Sequence, residues 1–203
     1  MPEGLEGVVR PWIETFQSRT GRDLQARWRS VGPGGHLAPA IENPWAASQR
    51  PDWFARGLLS WPRGGQWLHL SLRLECPPDW RQLAPKGANQ EGAPRARLVL
   101  RWWAEDVLLQ VDGQAVHRGD LFDSACRWLL PERWWRGEPL DLSLALRSPR
   151  HDDGALVESR LDLEPADRSD PAGLLAGTAL ELVALRAARG QDLVAAASLQ
   201  AAL

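Results

Sequence analysis

Between Arg97 and Gly119 the chain reads RLVLRWWAEDVLLQVDGQAVHRG, and this stretch decides the fold. In Arg97–Trp103 the apolar residues Leu98, Leu100 and Trp102 alternate onto one face, the period-two signature of a half-buried strand. Val107–Val111, then Asp112-Gly113, then Gln114–His117 spells a β-hairpin, because Asp-Gly supplies the two positive-φ positions of a type I′ turn. Pairing across that turn sets Leu109 opposite Val116.

The same alternation continues outward on both sides. Gln66–Glu75 interleaves Leu68, Leu70, Leu72 and Leu74 with His69, Ser71, Arg73 and Glu75. Leu140, Leu142, Leu144 and Leu146 alternate with Asp141, Ser143 and Arg147, and Val157, Leu161 and Leu163 repeat the pattern before Pro165. Five or six such strands, with turns and no helical period between them, predict a mainly β chain folded as an antiparallel β-sandwich or jelly roll.

Beyond this middle zone, residues 61–166, the pattern changes. Residues 1–60 are broken by Gly32-Pro33-Gly34-Gly35, Pro39, Pro44 and Pro51 and predict a short, irregular or helical segment laid over the sandwich. Residues 167–203 switch to helical spacing. Asp170 and Pro171 open a Leu/Ala-rich run over Leu174–Arg189 that ends at Gly190, and a second helix is predicted over Gln191–Leu203. These C-terminal helices are expected to link toward a further domain.

The 203 residues hold 24 basic and 26 acidic side chains, net −2, with the acidity concentrated after residue 150. Such a balance argues against nucleic acid or an anionic membrane as partner. Only two cysteines, Cys76 and Cys126, are present; they suit small buried residues in a reducing compartment better than a disulfide framework. The N-terminus lacks the basic and apolar regions of a signal peptide, and no run approaches the ~18 apolar residues of a membrane helix, so the expected location is cytoplasmic. Twelve tryptophans stand beside three phenylalanines and no tyrosine, and so many indoles need burial, stacking partners or a ligand.

The order Val111-Asp112-Gly113, Gly119-Asp120-Leu121-Phe122-Asp123 and Gly137-Glu138-Pro139-Leu140 is similar to the galactose-binding-like jelly rolls attached to many glycosidases. Together with Trp61-Pro62-Arg63-Gly64-Gly65-Gln66-Trp67 and His151-Asp152-Asp153-Gly154-Ala155-Leu156, it resembles the N-terminal β-sandwich of class II α-mannosidases, glycoside hydrolase family thirty-eight, of bacterial type. The resemblance spans about residues 55–185. It implies a non-catalytic domain packing, in cis or in trans, on an α-mannosidase catalytic domain that holds zinc. No cofactor is expected in the present chain: its four histidines are scattered, and no carboxylate pair can be assigned the ~5–5.5 Å facing geometry of a retaining glycosidase.

Five residues stand out as carbohydrate or interdomain contacts. Trp102-Trp103 and Trp134-Trp135 are adjacent pairs, so on strands Trp103 and Trp135 would face outward, as platforms for a pyranose ring or as surfaces covered by another segment. His151, Asp152 and Asp153 occupy the loop before the last strand. They could shape a sugar pocket or bind a cation, or Asp153-Gly154 could simply serve its own turn. Asp120 and Asp123 are read as loop caps around a Phe122 plugged into the core, and His69 and His117 as outward residues. Two functions therefore stand side by side: an interaction domain of an α-mannosidase, sticky when isolated, or a self-sufficient carbohydrate-binding module that recognises mannose-containing glycans.

Overall fold

The computed structural model describes residues 20–40, 51–84 and 94–164. These form an antiparallel β-sandwich of two sheets. Eleven strands are described: β1 Gly21–Asp23, β2 Arg29–Val31, β3 Leu37–Pro39, β4 Leu59–Trp61, β5 Trp67–Leu74, β6 Arg95–Trp103, β7 Asp106–Val111, β8 Gln114–Gly119, β9 Ala125–Leu129, β10 Leu140–Arg147 and β11 Gly154–Glu164. Three single-turn helices interrupt them, α1 Pro51–Ala55, α2 Pro78–Arg81 and α3 Glu132–Trp135. One sheet has the order β3-β2-β5-β10-β7-β8; the other runs β1-β11-β6-β9, with β4 also pairing β11. From β5 onward the chain passes repeatedly from one sheet to the other, the jelly-roll habit.

The core follows from the alternation. Leu140, Leu142, Leu144 and Leu146 pair with Leu74, Leu72, Leu70 and Leu68 on one side, and the last three also face Val111, Leu109 and Val107 on the other. Opposite them, β6 and β11 present Leu98 beside Leu161 and Trp102 beside Leu156. All of these side chains are buried. Burying an aliphatic side chain contributes about 1.5–3 kcal/mol, so these facing rows hold the two sheets together.

The register differs from expectation at the hairpin. Asp112 and Gly113 take positive φ (49° and 79°), as the type I′ turn demands. A bulge between Leu109 and Gln110 then shifts the ladder, so that Leu109 faces His117 and Gln110 faces Ala115. Val116 is the extra residue on β8, where a bulge leaves one residue unpaired and lets the strand bend.

The N-terminal zone also departs from its expected role as an overlay. Residues 21–39 supply β1 to one sheet and β2 and β3 to the other, and the boundary drawn at residue 60 falls inside β4. Two buried polar contacts explain the attachment. The Trp28 indole N–H donates to Ser159 Oγ at 2.8 Å, which fills a polar gap in the inner face of β11. Gln25 Nε2 donates to the carbonyl of Leu156 at 2.7 Å, next to the bulge between Leu156 and Glu158, where the ladder to β6 slips. A bulge disrupts ladder pairing, and a buried carbonyl left unmade costs roughly 1–3 kcal/mol. The helices expected over 167–203 lie outside the described residues.

Candidate functional site

Four connections meet at one end of the sandwich: residues 62–66, 104–105, 120–124 and 148–153. Three of the five segments that carry the sequence resemblance, 61–67, 119–123 and 151–156, fall here. Two tryptophans hold this end. Trp61, at the close of β4, is buried and donates its indole N–H to the carbonyl of Gln66 at 2.9 Å, clasping the first loop. Trp102, near the close of β6, donates to the carbonyl of Asp120 at 3.0 Å and clasps the third. Each indole lies against a glycine. A Cβ on Gly154 would come within 2.3 Å of Trp61 Cζ2, and one on Gly119 within 2.3 Å of Trp102 Cζ2. Contact between carbon atoms is comfortable near ~3.5–4.0 Å, so both positions require glycine for close approach.

The third loop is stapled from within. Asp120 Oδ1 accepts hydrogen bonds from the backbone N–H groups of Phe122, at 2.7 Å, and Asp123, at 2.9 Å. These bonds favour the carboxylate and hold the Asp120 pKa below its ordinary value of 3.8. The aspartate therefore caps the loop as expected. Phe122 does the opposite of what was expected: it is 99% exposed, because the staple turns the backbone so that the ring points away from the core. His117 lies behind this loop, its ring 5.6 Å from that of Trp102 and its Nε2 3.6 Å from Asp123 Oδ2. It faces the interior side of β8, not solvent, because the bulge at Val116 shifts its register.

The five sequence-chosen residues divide. Trp103 is 37% exposed on the outer face of β6, as the strand alternation required. Trp135 is 5% exposed and corrects the expectation of an outward platform. The reason is local: Trp134-Trp135 closes α3 rather than lying on a strand, and one helical turn sends both indoles inward. There Trp134 makes edge contacts with Trp80 and Trp135 at ring separations of 6.4 and 5.4 Å, at the far end of the sandwich from the four loops. His151 is exposed in the fourth loop. Asp153 is buried and accepts from the backbone N–H of Arg63 at 3.0 Å, tying the first loop to the fourth; its own N–H donates to Asp152 Oδ1 at 2.9 Å. Asp152 thus bonds its own loop, whereas Asp153 ties two loops together rather than serving its own turn. Among the described residues, no three His, Cys, Asp or Glu side chains are gathered where they could hold a metal ion.

The carboxylates of β11 meet arginines. Glu164 accepts from Arg97 at 2.7 Å and from Arg127 at 2.9 Å, Asp162 from Arg160 at 2.6 Å, and Glu158 also pairs with Arg160. Cys76 and Cys126 are buried free thiols, each pushed up to about 11 by loss of hydration. Sequence reasoning missed one exposed aromatic, Trp67, which is 47% exposed at the start of β5. Its signal was present, since in Trp67–Leu74 it shares the outward face with His69 and Ser71.

No protein-family model matches the chain, and no curated protein matches it. Among solved structures it is similar to a β-glucuronidase from Bacteroides uniformis, with 13% identity and a TM-score of 0.42 over 71% of this chain and 18% of that one. An FMN-binding β-glucuronidase from Faecalibacterium prausnitzii gives 14% and 0.43 over 71% of this chain and 22% of its own. A putative β-galactosidase from Bacteroides fragilis gives 9% and 0.40, with 71% and 23% covered. The chain thus spans about a fifth of the length of these structures. Among the described residues, no helix is long and apolar enough to cross a membrane.

Proposed function

We propose that this sandwich is the non-catalytic partner domain of a glycosidase, docking on the catalytic domain through the loop end. The observation that carries the reading is Phe122. An aromatic ring left wholly in water gains nothing for the isolated fold, yet the Trp102 clasp, the Gly119 contact and the Asp120 staple all serve to hold it there. Rigidly presented aromatic residues are the usual anchors of protein interfaces, where truncation of one can cost about 2 kcal/mol or more. Trp103 and His151 stand at the same end and widen the surface. The sequence resemblance supplies the finer assignment, an α-mannosidase whose zinc belongs to the other domain.

The test uses the glycosidase catalytic domain encoded in frame with, or beside, this chain. The two polypeptides are expected to associate at micromolar concentrations in sedimentation velocity. Phe122→Ala should weaken the complex at least tenfold while leaving the thermal midpoint of the sandwich unchanged. Failure to associate, or association indifferent to Phe122→Ala, overturns the reading. Turnover of aryl α-mannoside rather than aryl β-glucuronide by the complex decides the α-mannosidase assignment.

A further inference from the structure

The loop that presents Phe122 is seated on one titratable side chain outside it, His117 of β8. The imidazole Nε2 is buried and has no hydrogen-bond partner among the described residues, while Asp123 Oδ2 stands 3.6 Å from it. A charge-assisted N–H to carboxylate bond closes near 2.7–2.9 Å, so this pair is open by about 0.8 Å. The Trp102 ring, 5.6 Å from the imidazole and tilted by 57°, supports the histidine from the other sheet. Asp123 is divided between two tasks. Its backbone belongs to the loop staple, since its N–H donates to Asp120 Oδ1 at 2.9 Å and its carbonyl accepts from the Asp120 N–H at 3.1 Å. Its side chain is 63% exposed and lies toward His117 with room to move.

Such a pair behaves differently in the two charge states of the ring. Neutral imidazole carries a single N–H, shared between the tautomers, whereas the cation donates from both nitrogens. Taking up one proton from solvent therefore places a donor and a positive charge at the buried Nε2, opposite the Asp123 carboxylate. The other groups around the ring leave this pairing undisturbed. Asp120, on the same loop, is committed to the staple. Cys126 of β9 has its thiol pushed up to about 11, by burial and, less, by Asp123, and stays neutral at physiological pH. Leu109 of β7, opposite His117, and Trp102 of β6 carry no charge, and Arg118 alternates to the outer face of β8.

We infer that His117 is a pH-operated latch on the Phe122 loop: the imidazolium bonds Asp123 and fixes the loop against β8, and the neutral ring releases it. Histidine is the side chain whose charge changes between pH 5 and 8. The Asp120 staple keeps the internal shape of the loop throughout this range, so the latch governs how firmly the loop sits on the sheet. A segment already held in its docking position gives up less freedom on association. Tighter docking at low pH is thus the consequence of the latch, and this consequence alone rests on the docking reading.

NMR titration of the whole chain between pH 5 and 8 reads the latch without a partner. The His117 ring resonances and the Phe122 and Asp123 amides are expected to titrate together, and 15N relaxation should show residues 120–124 more ordered at pH 5.5 than at pH 8. Asp123→Asn, at an exposed position, should leave His117 titrating but remove the gain in order; His117→Gln should hold the loop in its pH 8 state throughout. Loop amides that ignore the His117 titration, or a gain in order that survives Asp123→Asn, overturn the inference. In sedimentation velocity the complex should be roughly two- to fivefold tighter at pH 5.5 than at pH 8, the worth of a partly exposed ion pair, and Asp123→Asn should abolish the difference. No complex at either pH, with the NMR latch intact, counts against docking and supports the latch. A complex equally strong at both pH values, or a pH dependence that Asp123→Asn retains, overturns the regulatory role.

Discussion

Replacing Gly154 by alanine should destabilise this protein far more than the change of one methyl group suggests. The backbone at Gly154 is not in the left-handed region, so conformational strain is not the cause. The added Cβ would lie 2.3, 2.4 and 2.8 Å from Cζ2, Cε2 and Cη2 of Trp61. Trp61 cannot swing aside freely, because it is 1% exposed and its N–H is committed to Gln66. Overpacking of this kind costs about 1–3 kcal/mol, and giving up the indole hydrogen bond adds roughly 1 kcal/mol, so Gly154→Ala is expected to cost about 2–4 kcal/mol. For a chain of this size that lowers the melting midpoint by roughly 4–16 °C. The cause can be isolated by a double-mutant cycle with Trp61→Phe, which removes the outer ring atoms that clash. Trp61→Phe alone should cost about 2–3 kcal/mol through the cavity and the orphaned Gln66 carbonyl. In that background Gly154→Ala should be nearly neutral, since alanine at an allowed extended position also restricts the unfolded chain. The coupling, read from urea unfolding of the four proteins, should reach about 2 kcal/mol. A Gly154→Ala penalty that is the same with and without Trp61→Phe would refute the steric account.

Three further outcomes follow from the contacts described. Ser159→Ala removes the only acceptor shown for the buried Trp28 N–H and should cost about 1–3 kcal/mol in chemical denaturation, with Ser159→Thr costing less if the hydroxyl is retained in place. Asp120 has a depressed pKa, from the N–H groups of Asp123 and Phe122, so its loop staple is complete above the ordinary value of 3.8 and is lost as pH falls below it; the amide resonances of Phe122 and Asp123 should titrate together with a midpoint under 3.8, and Asp120→Asn should abolish the transition. With both thiols raised to about 11, iodoacetamide at pH 8 should leave the folded chain unmodified over the time that fully labels it in urea; the same shift makes the thiols favour folding below pH 9 and withdraw that support between pH 9 and 11.

The long strands were legible because period two is unambiguous where leucines alternate with charged or hydroxylated residues over seven or more positions, as in β5 and β10. The three-residue strands β1, β2 and β3 were not, since a single alternation embedded among Gly32, Pro33 and Pro39 looks the same as coil; what recruits them is a pair of side chains, Gln25 and Trp28, reaching a bulge and a serine more than a hundred residues away. Trp135 was misplaced for a related reason. A Trp-Trp pair gives opposite faces on a strand and neighbouring faces on a helix, and Glu132–Trp135 is too short for periodicity to choose between them. Phe122 shows the limit from the other side: hydrophobicity alone places a phenylalanine inside, whereas the Asp120 staple, a matter of backbone geometry, places it outside. Of the residues singled out near the loop end, Trp103 and His151 face solvent and Asp153 does not, because its carboxylate is turned inward to the Arg63 N–H.

The paired indole-to-carbonyl clasps have a consequence for variation. Each fixes a loop at its base, Gln66 for one and Asp120 for the other, and the two cradle glycines sit at strand ends rather than in the loop tips. Residues between the anchors that need no left-handed backbone, such as Pro62 and Arg63 or Leu121 and Phe122, can therefore be exchanged without moving the sheets. The surface chemistry at this end of the molecule is free to drift while Trp61, Trp102, Gly119 and Gly154 stay fixed, which is the property sought when new recognition loops are grafted onto a stable β-sandwich.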